Sequence, residues 1–229
     1  MNSRELEHLL AGLFPEEVVT EAGLLRETRG DLYGEEQACV RHVVDQRKRE
    51  FVAGRICARR ALGRLGILRF PLVAGRDRAP VWPPGIIGSI SHCADYCGVA
   101  VARQNDLTGI GLDLERTNRV HEELWPYICT AEELAWVNSL PYEQRRPAAA
   151  VIFSVKESLY KCQYLVTGRW LEFTEVVVHV GCRRLEYDVA STVSSSVSIA
   201  GELRGRFILH DDLVLTAATL RRPGEVARL

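Results

Sequence analysis

Apolar and polar residues alternate most regularly between residues 109 and 115. Every second residue there is aliphatic, and the residues between them are two glycines followed by two carboxylates, Asp113 and Glu115. A period of two predicts a β-strand. The two carboxylates therefore share one face, about 6–7 Å apart along the strand. Like charges this close favour a cation, a proton or open water beside them.

The first part of the chain shows helical spacing. Residues 3–14 predict a short amphipathic helix or arm, and a longer pattern predicts a helix from Glu35 to about Gly66, where the glycine suits a C-terminal cap. The apolar stripe of the long helix contains Phe51, Val52, Ile56, Ala58, Leu62 and Leu65. Its other face is predicted to be strongly basic, with Arg47, Lys48, Arg49, Arg55, Arg59 and Arg60.

The middle of the chain is rich in turn signals. Prolines and glycines predict a loop over residues 70–85, followed by strands over 86–91 and 97–103 and a turn at 104–106. Residues 116–129 read as irregular or as a short helix. Thr130 and Glu133 have the spacing of a capping box, which predicts a helix from there through Leu140.

The last third combines one helix with several strands. We expect the helix to start at Pro147, to end near Leu165 before Gly168, and to bury Ala148, Ile152, Val155, Leu159 and Cys162. Strands are predicted over residues 170–180, 184–190, 195–200, 202–209 and 213–220, with Asp211-Asp212 as a hairpin turn. The elements together indicate an α+β protein.

Composition and charge describe an ordinary globular chain. Of 229 residues, 47 % are hydrophobic and 26 % charged, and the net charge of −1 favours neither nucleic acid nor a membrane as partner. The start of the chain lacks an apolar segment of signal-peptide length, so we expect a cytoplasmic protein.

The seven cysteines lack a Cys-x-x-Cys pair and are expected to be reduced and mostly buried. Cys93 and Cys97 beside His92 have the wrong spacing for a zinc knuckle.

A third carboxylate lies on the last predicted helix. Glu157 is flanked by Lys156 and Lys161, and it lies i, i+4 from Lys161. Taken alone, this pair and the strand carboxylates are also compatible with solvated surface residues. Buried carboxylates are costly without a cation, however, and Mg²⁺ prefers carboxylates together with phosphate oxygens. Asp113, Glu115 and Glu157 are therefore the predicted Mg²⁺ ligands, and Mn²⁺ accepts the same oxygen ligands.

Two further groups suit phosphate. Ser89, Ser91 and His92 end a predicted strand, and their backbone and side-chain donors are able to hold an anion. Arg55 and Arg59 lie one turn apart, with Arg47 two turns earlier, and arginine forks match phosphate. Each group alone also fits a buried serine-rich strand or a solvated helix face. Together with the carboxylates they indicate a ligand with several phosphates and one metal ion.

The order of these motifs resembles the 4′-phosphopantetheinyl transferases. It resembles their larger, monomeric, surfactin-type branch and, within it, the enterobactin-synthase-component-D-like enzymes, a subgroup that the Trp82-Pro83 segment also fits. The resemblance covers roughly residues 35–175. It rests on the motifs Gly54-Arg55-x-x-Ala58-Arg59, Gly88-Ser89-Ile90-Ser91-His92, Gly109-Ile110-Gly111-Leu112-Asp113-Leu114-Glu115 and Phe153-Ser154-Val155-Lys156-Glu157-Ser158-Leu159-Tyr160-Lys161.

The resemblance implies transfer of the phosphopantetheine arm of coenzyme A to a serine of an apo acyl, aryl or peptidyl carrier protein. Such enzymes release adenosine 3′,5′-bisphosphate and serve siderophore, non-ribosomal peptide, polyketide or fatty-acid synthesis. It also implies two similar α+β halves, here residues 1–108 and 109–229, with the active site between them. A monomer is expected.

The resemblance also implies roles for single residues. Glu157 would be both metal ligand and base for the carrier serine, and Lys161 would stabilise or protonate the leaving phosphate. His92 is expected to act with them in catalysis. The residues expected to contact coenzyme A are Arg47, Arg55, Arg76, Arg78, Ser91, His92, Lys156 and Lys161.

Two positions depart from the family pattern, and one segment leaves alternatives open. Phe153 replaces a tryptophan of many relatives, and Asp77 replaces a lysine expected at the 3′-phosphate, a contact that Arg76 or Arg78 is then expected to supply. Carrier docking is expected over residues 118–145, where Leu124, Trp125 and Tyr127 are either exposed contacts or core residues.

Two other functions use the same residues. A magnesium-dependent phosphohydrolase acting on coenzyme A-like substrates would use the carboxylates to activate water and would need no carrier protein. A coenzyme A-binding module without catalytic activity is the other alternative, although the complete set of acidic residues and Lys161 argues against lost chemistry.

Overall fold

The computed structural model describes residues 1–180, 186–190 and 202–222, and residues 186–190 by their backbone alone. The chain divides into two compact units, Met1–Asp106 and Leu107–Leu229. Each unit combines helices with an antiparallel sheet, as the predicted α+β class requires.

The first unit packs one long helix on a three-stranded sheet. Its elements are α1 (Ser3–Leu13), β1 (Val19–Leu24), α2 (Gly34–Ala38), α3 (Asp45–Arg64), β2 (Ile86–Cys93) and β3 (Tyr96–Arg103). The strand order is β1-β3-β2, and both neighbours of β3 are antiparallel to it. Small residues of α3 such as Ala53 and Ala61 pack against Val99 and Val101 of β3, so the helix lies close to the sheet.

The second unit packs its longest helix on a five-stranded sheet. Its elements are β4 (Gly109–Arg116), α4 (Trp125–Ile128), α5 (Ala131–Ser139), α6 (Tyr142–Thr167), β5 (Val177–Val180), β6 (Glu186–Ala190), β7 (Glu202–His210) and β8 (Leu213–Arg221). The strand order is β4-β8-β7-β6-β5. Ile152 and Val155 of α6 pack against Val214, Ala218 and Leu220 of β8 in the core of this unit.

Two glycines of β4 allow α6 to approach the strand backbone. A Cβ atom on Gly109 would lie 2.8 Å from the Cys162 carbonyl oxygen. A Cβ atom on Gly111 would overlap the Ser158 carbonyl oxygen and lie 2.9 Å from the Cys162 amide nitrogen. Any side chain at these positions would push α6 away, so the glycines set the distance between the acidic strand and the helix that carries Glu157 and Lys161.

Several sequence predictions are confirmed. Strands β2, β3 and β4 and the short α1 lie close to where the sequence placed them, whereas β1 was not predicted. Thr130 and Glu133 form the predicted capping box of α5, and Gly168 ends α6 in the left-handed conformation with φ 63°. Gly66 follows α3 with φ +83°, as a C-terminal glycine should. Asp211, with φ 53°, makes the predicted turn between β7 and β8.

The predicted continuous helix from Glu35 to Gly66 is wrong, because the chain turns between α2 and α3. Glu36 accepts hydrogen bonds from Arg59 Nη2 (2.9 Å) and from the Leu72 amide (2.9 Å). In one straight helix Glu36 and Arg59 would lie about 35 Å apart. The reversal brings the carboxylate back onto α3, where it is buried.

The predicted start of the last long helix at Pro147 is also wrong. Helix α6 begins at Tyr142 and contains Pro147 as its sixth residue, close to the exposed N-terminal end. The proline removes one backbone hydrogen bond near that end, and the packed remainder of the helix stabilises the element. The strand predicted over 170–180 is limited to β5, since Phe173–Glu175 form a 3₁₀ turn. The strand predicted over 195–200 and the first residues of the one predicted over 184–190 lie outside the described residues.

Candidate active site

Asp113 is the most buried carboxylate of the acidic strand, with only 5 % of the residue exposed. Its Oδ1 accepts a hydrogen bond from Lys161 Nζ at 2.6 Å, and Lys161 also donates to the Leu112 carbonyl at 3.1 Å. Its Oδ2 accepts from the hydroxyl of Ser154 on α6 at 2.8 Å. Both oxygens of Asp113 therefore have a donor from the same helix, which fixes the orientation of the carboxylate.

A threonine of the neighbouring strand supports this arrangement. Thr216 lies directly opposite Asp113 in the pairing of β4 with β8. Its hydroxyl donates to the Ser154 carbonyl at 2.8 Å and lies 3.0 Å from the Ser154 hydroxyl. The sequence analysis assigned no role to Ser154 or Thr216, because a serine in a helix and a threonine in a strand carry no signal of their own. Their contacts depend on the packing of α6 across the sheet.

Glu115 and Glu157 form the half-buried part of the acidic group. Burial raises the pKa of Glu157, Lys161 counteracts this, and the nearby charges of Asp113 and Glu115 raise it further. Burial also raises the pKa of Glu115, whose Oε1 accepts a hydrogen bond from the Arg116 amide at 2.7 Å. The electrostatic coupling shows that the three predicted carboxylates and Lys161 are neighbours in the second unit.

The donor set suits a hard divalent cation, but it is not a closed protein cage. Three carboxylates and one ammonium carry a net charge of −2, and carboxylate oxygens are the ligands that Mg²⁺ prefers. Among the described residues, no three histidines, cysteines, aspartates or glutamates are arranged to hold a metal ion by themselves. A cation here would therefore need further oxygen ligands, such as water or the phosphates of a substrate. The same result gives no support to a zinc site at Cys93, Cys97 and His92.

Lys156 does not lie where a coenzyme A ligand was expected. Its ammonium donates to Glu133 at 2.6 Å, to the Ile128 carbonyl at 2.9 Å and to the Phe173 carbonyl at 2.8 Å. Both side chains of the ion pair are 2 % exposed. Burial lowers the pKa of Lys156, and the contact with Glu133 opposes that shift. Lys156 therefore joins α6 to α5 and to the segment before β5, inside the second unit.

The helical pattern predicted Arg55 on the exposed basic face of α3, and this prediction is wrong. Only 6 % of the residue is exposed, its Nε donates to the Leu72 carbonyl at 2.6 Å, and its guanidinium lies 3.9 Å from the centre of the Phe51 ring. Burial lowers its pKa to about 10. Arg55 therefore lies on the core side of α3 and not on its exposed basic face. Its hydrogen-bond acceptor, the Leu72 carbonyl, lies in a loop 17 residues later in the chain, so the spacing of residues within the helix did not reveal this burial.

The exposed end of α3 brings together Arg47, Glu50 and His92. Arg47 Nη1 lies 2.7 Å from His92 Nε2 and 3.3 Å from Glu50 Oε2, and His92 Nδ1 lies 3.6 Å from the same carboxylate oxygen. The sequence analysis predicted Arg47 and His92 but missed Glu50. Its spacing of three residues from Arg47 on a helix was the available signal.

The remaining predicted residues occupy different environments. Ser91 is buried on β2, while Arg76 and Arg78 are exposed in the loop closed by the Ala74–Pro80 bridge. Arg78 has a φ of 68°. In the segment expected to dock a carrier, Leu124 is 45 % and Tyr127 77 % exposed.

The alternative left open for Trp125 resolves toward core packing, and Phe153 packs in the core as well. Trp125 is 4 % exposed and belongs to the core of the second unit. Phe153 packs on the same core, and the centre of its ring lies 5.4 Å from the centre of the Phe173 ring.

Five of the six described cysteines are buried, and Cys39 is partly exposed. Cys182 lies outside the described residues. No helix within the described part of the chain is long and apolar enough to cross a membrane.

Comparison with known proteins places these motifs in one family. Residues 35–102 match the model of the 4′-phosphopantetheinyl transferase N-terminal domain, and residues 109–207 match that of the 4′-phosphopantetheinyl transferase superfamily. The 4′-phosphopantetheinyl transferase Svp of Streptomyces mobaraensis is 34 % identical over 228 residues, covering 96 % of this chain and 92 % of the relative.

Other relatives are similar over shorter stretches. The 4′-phosphopantetheinyl transferase PptT of Mycobacterium tuberculosis is 32 % identical over 81 % of this chain and 85 % of its own. Enterobactin synthase component D of Salmonella typhi is 39 % identical over 51 % of this chain and 48 % of its own. The holo-[acyl-carrier-protein] synthase structure from Thermotoga maritima aligns with a TM-score of 0.42 and 20 % identity, over 51 % of this chain and 64 % of that one. The two family models and the nearly full-length similarity to a named transferase show that the chain belongs to the 4′-phosphopantetheinyl transferase family of enzymes.

Proposed function

We propose that this enzyme transfers the 4′-phosphopantetheine arm of coenzyme A to a serine of an apo carrier protein in a magnesium-dependent reaction. The observation that carries the proposal is the acidic group of the second unit. There the Lys161 ammonium lies 2.6 Å from Asp113 Oδ1. The nearby charge of Glu115 contributes to the raised pKa of Glu157. In the reaction the serine oxygen forms a bond to the β-phosphorus of coenzyme A, the pyrophosphate bridge breaks, and adenosine 3′,5′-bisphosphate leaves.

Glu157 is the residue best suited to take the proton from the carrier serine. Burial raises its pKa, and a carboxylate with a raised pKa holds a proton more readily near neutral pH than an exposed one. It is half-buried on α6, whereas Asp113 is buried and has hydrogen-bond donors on both of its oxygens. Glu157 would accept the proton directly or through a water molecule.

Lys161 is suited to the leaving phosphate. Its ammonium donates hydrogen bonds to two groups of β4, the Asp113 carboxylate and the Leu112 carbonyl. The side chain of Lys161 is 26 % exposed. An ammonium held in place needs little reorganisation to stabilise the charge that develops on a leaving oxygen. Ser154 and Thr216 contribute indirectly, since they fix the carboxylate that holds Lys161.

The same acidic group would hold Mg²⁺ through Asp113, Glu115 and Glu157 together with pyrophosphate oxygens. When bound, the ion supplies charge neutralisation across the pyrophosphate, which is the main requirement of phosphoryl-type transfer. The net charge of −2 on the side chains supports a bound cation. Since no three such residues among those described form a closed site by themselves, water or substrate oxygens would have to complete its ligands.

The first unit would bind the phosphates of coenzyme A. Arg47 and His92 present cationic or hydrogen-bonding groups at the exposed end of α3, and Ser91 precedes His92 on β2. Arg76 and Arg78 are exposed in the loop where a phosphate contact was expected and are proposed to reach the 3′-phosphate. We leave Arg55 and Lys156 out of this site, because both are buried and hydrogen-bonded inside their units.

The carrier protein would dock on the segment before α5. Leu124 and Tyr127 present exposed apolar surface there. The relatives' names include enterobactin synthase component D, so an aryl carrier protein of siderophore synthesis is one partner to test beside peptidyl and acyl carriers.

The test is the mass of an apo carrier protein after incubation with the enzyme, coenzyme A and Mg²⁺. A gain of one phosphopantetheine that disappears when the metal is chelated supports the proposal. Coenzyme A breakdown without carrier modification would instead show a phosphohydrolase. Binding of coenzyme A without either reaction would show a binding module.

A further inference from the structure

We propose that Glu50 is a positioning residue that couples phosphate binding in the first unit to protonation of His92. The inference rests on the proposed function, because the phosphate in question is the 3′-phosphate of coenzyme A. That group is a monoester and carries up to two negative charges, whereas each phosphate of the pyrophosphate bridge has one ester and one anhydride linkage and carries one charge.

The geometry defines the state of His92 before a phosphate binds. Arg47 Nη1 is 2.7 Å from His92 Nε2, and a guanidinium N–H group only donates hydrogen bonds. Nε2 must therefore accept, so in this arrangement the imidazole is neutral and its hydrogen lies on Nδ1. Nδ1 in turn is 3.6 Å from Glu50 Oε2, which is within ion-pair distance.

Glu50 therefore contacts both groups that would bind the anion. Its side chain is only 12 % exposed, while those of Arg47 and His92 are 58 % and 27 % exposed. Because the carboxylate lies on the inner side of the cluster, the guanidinium of Arg47 and the imidazole of His92 are the groups that solvent or a ligand reaches. The contacts of Glu50 keep the side chains of Arg47 and His92 together at the exposed end of α3.

Binding of a phosphate dianion changes what each group contacts. Arg47 turns its N–H groups toward the phosphate oxygens, since a guanidinium binds phosphate with paired hydrogen bonds. His92 Nε2 then takes a proton from the solvent and donates to the phosphate, while Glu50 stabilises the imidazolium at Nδ1. One proton moves from the buffer to the protein, and no covalent bond other than the new N–H bond forms.

Two further charged or titratable groups lie on α3 and β3 beside this cluster. On α3, Arg55 is a buried cation whose charge acts on Arg47 and Cys97. On β3, Cys97 lies opposite His92 in the strand pairing. Contact with the Cys57 thiol and burial hold the pKa of Cys97 well above its ordinary value, so it stays neutral. Glu50, whose carboxylate lies 3.6 Å from Nδ1, is an anion that favours the imidazolium.

Calorimetric titration with coenzyme A, repeated in buffers of different ionisation enthalpy, tests the inference. Wild type should take up close to one proton per coenzyme A near pH 7.5, and its affinity should fall by up to about tenfold per pH unit above that. Glu50→Gln should take up less than half as much and show a flatter pH dependence. His92→Gln should take up none, and dephospho-coenzyme A, which lacks the 3′-phosphate, should cause no uptake with wild type.

A matched control separates this role from a general effect of charge or folding. Asp45→Asn removes one negative charge from the same helix at an exposed position and should take up protons like wild type. Proton uptake by Glu50→Gln equal to that of wild type, or no uptake by wild type itself, would overturn the inference. Either result leaves the carrier-modification test untouched, so failure of the proposed function is recognised separately.

Discussion

Replacing Gly111 with alanine should move α6 away from the acidic strand. The new Cβ would overlap the Ser158 carbonyl oxygen and lie 2.8 Å from its carbon and 2.9 Å from the Cys162 nitrogen, all of them backbone atoms of α6. Gly111 does not have a positive φ, so alanine tolerates the local backbone and the whole penalty comes from the collision.

The size of the effect follows from these distances. Ordinary van der Waals contact begins near 3.4 Å, so relieving the overlap with the Ser158 carbonyl oxygen requires the helix backbone to retreat by more than about 1 Å. Overpacking of this kind costs about 1–3 kcal/mol, which corresponds to a fall in melting temperature of about 3–10 °C for a chain of this size. The retreat also moves Lys161 away from Asp113, and displacement of catalytic groups by a fraction of an ångström to one ångström costs about 10- to 100-fold in rate.

Thermal unfolding and the rate of carrier modification measure the two consequences together. Gly63→Ala is the matched control, because a Cβ at this position in α3 has no neighbour within 4 Å and alanine favours a helix by about 0.5–1 kcal/mol over glycine. It should raise the melting temperature slightly and leave the rate unchanged. A Gly111→Ala protein with wild-type stability and rate would refute the claim that the close approach of α6 positions the site.

Three further predictions concern buried and half-buried polar groups of the second unit. Ser154→Ala removes a donor from the buried Asp113 carboxylate and should lower the free energy of unfolding in urea by about 1–3 kcal/mol; an unchanged value would show that this hydrogen bond is not needed. Lys156→Met leaves Glu133 buried without its cation and should cost about 3–5 kcal/mol, whereas adding Glu133→Gln should cost less than the sum of the single changes; strict additivity would contradict a direct pair. Because burial raises the pKa of Glu157 above 4.5, the folded protein binds more protons than the unfolded chain between 4.5 and that raised pKa, and stability falls as the pH rises through this window. Glu157→Gln should therefore be more stable than wild type at pH 7 and similar to it below about pH 4, and a difference independent of pH would count against this account.

Features encoded by neighbouring residues could be predicted from the sequence. The alternation around Asp113 predicts β4, the Thr130 and Glu133 spacing predicts the start of α5, and Gly168 marks the end of α6. Each of these depends on contacts within a few residues. The carboxylates and Lys161 were also predictable, because their spacing on one strand and one helix is itself a local pattern.

Features that depend on distant partners could not be predicted. Arg55 and Lys156 are charged residues that a helical pattern assigns to a surface, yet carbonyl groups and a carboxylate from other segments make their burial possible. The chain reversal before α3 likewise depends on Glu36, whose partners are 23 and 36 residues away. No local signal distinguishes these side chains from solvated ones.

The single-turnover rate of carrier modification by Glu157→Gln tests the central claim most directly, with Glu143→Gln as a control at an exposed position in the first turn of the same helix. We predict that Glu157→Gln still binds coenzyme A but, at saturating coenzyme A and Mg²⁺, transfers its arm about 10²- to 10⁴-fold more slowly, while Glu143→Gln is unaffected. Transfer by Glu157→Gln at the wild-type rate would contradict the assignment of Glu157 and, with it, the proposed reaction centre.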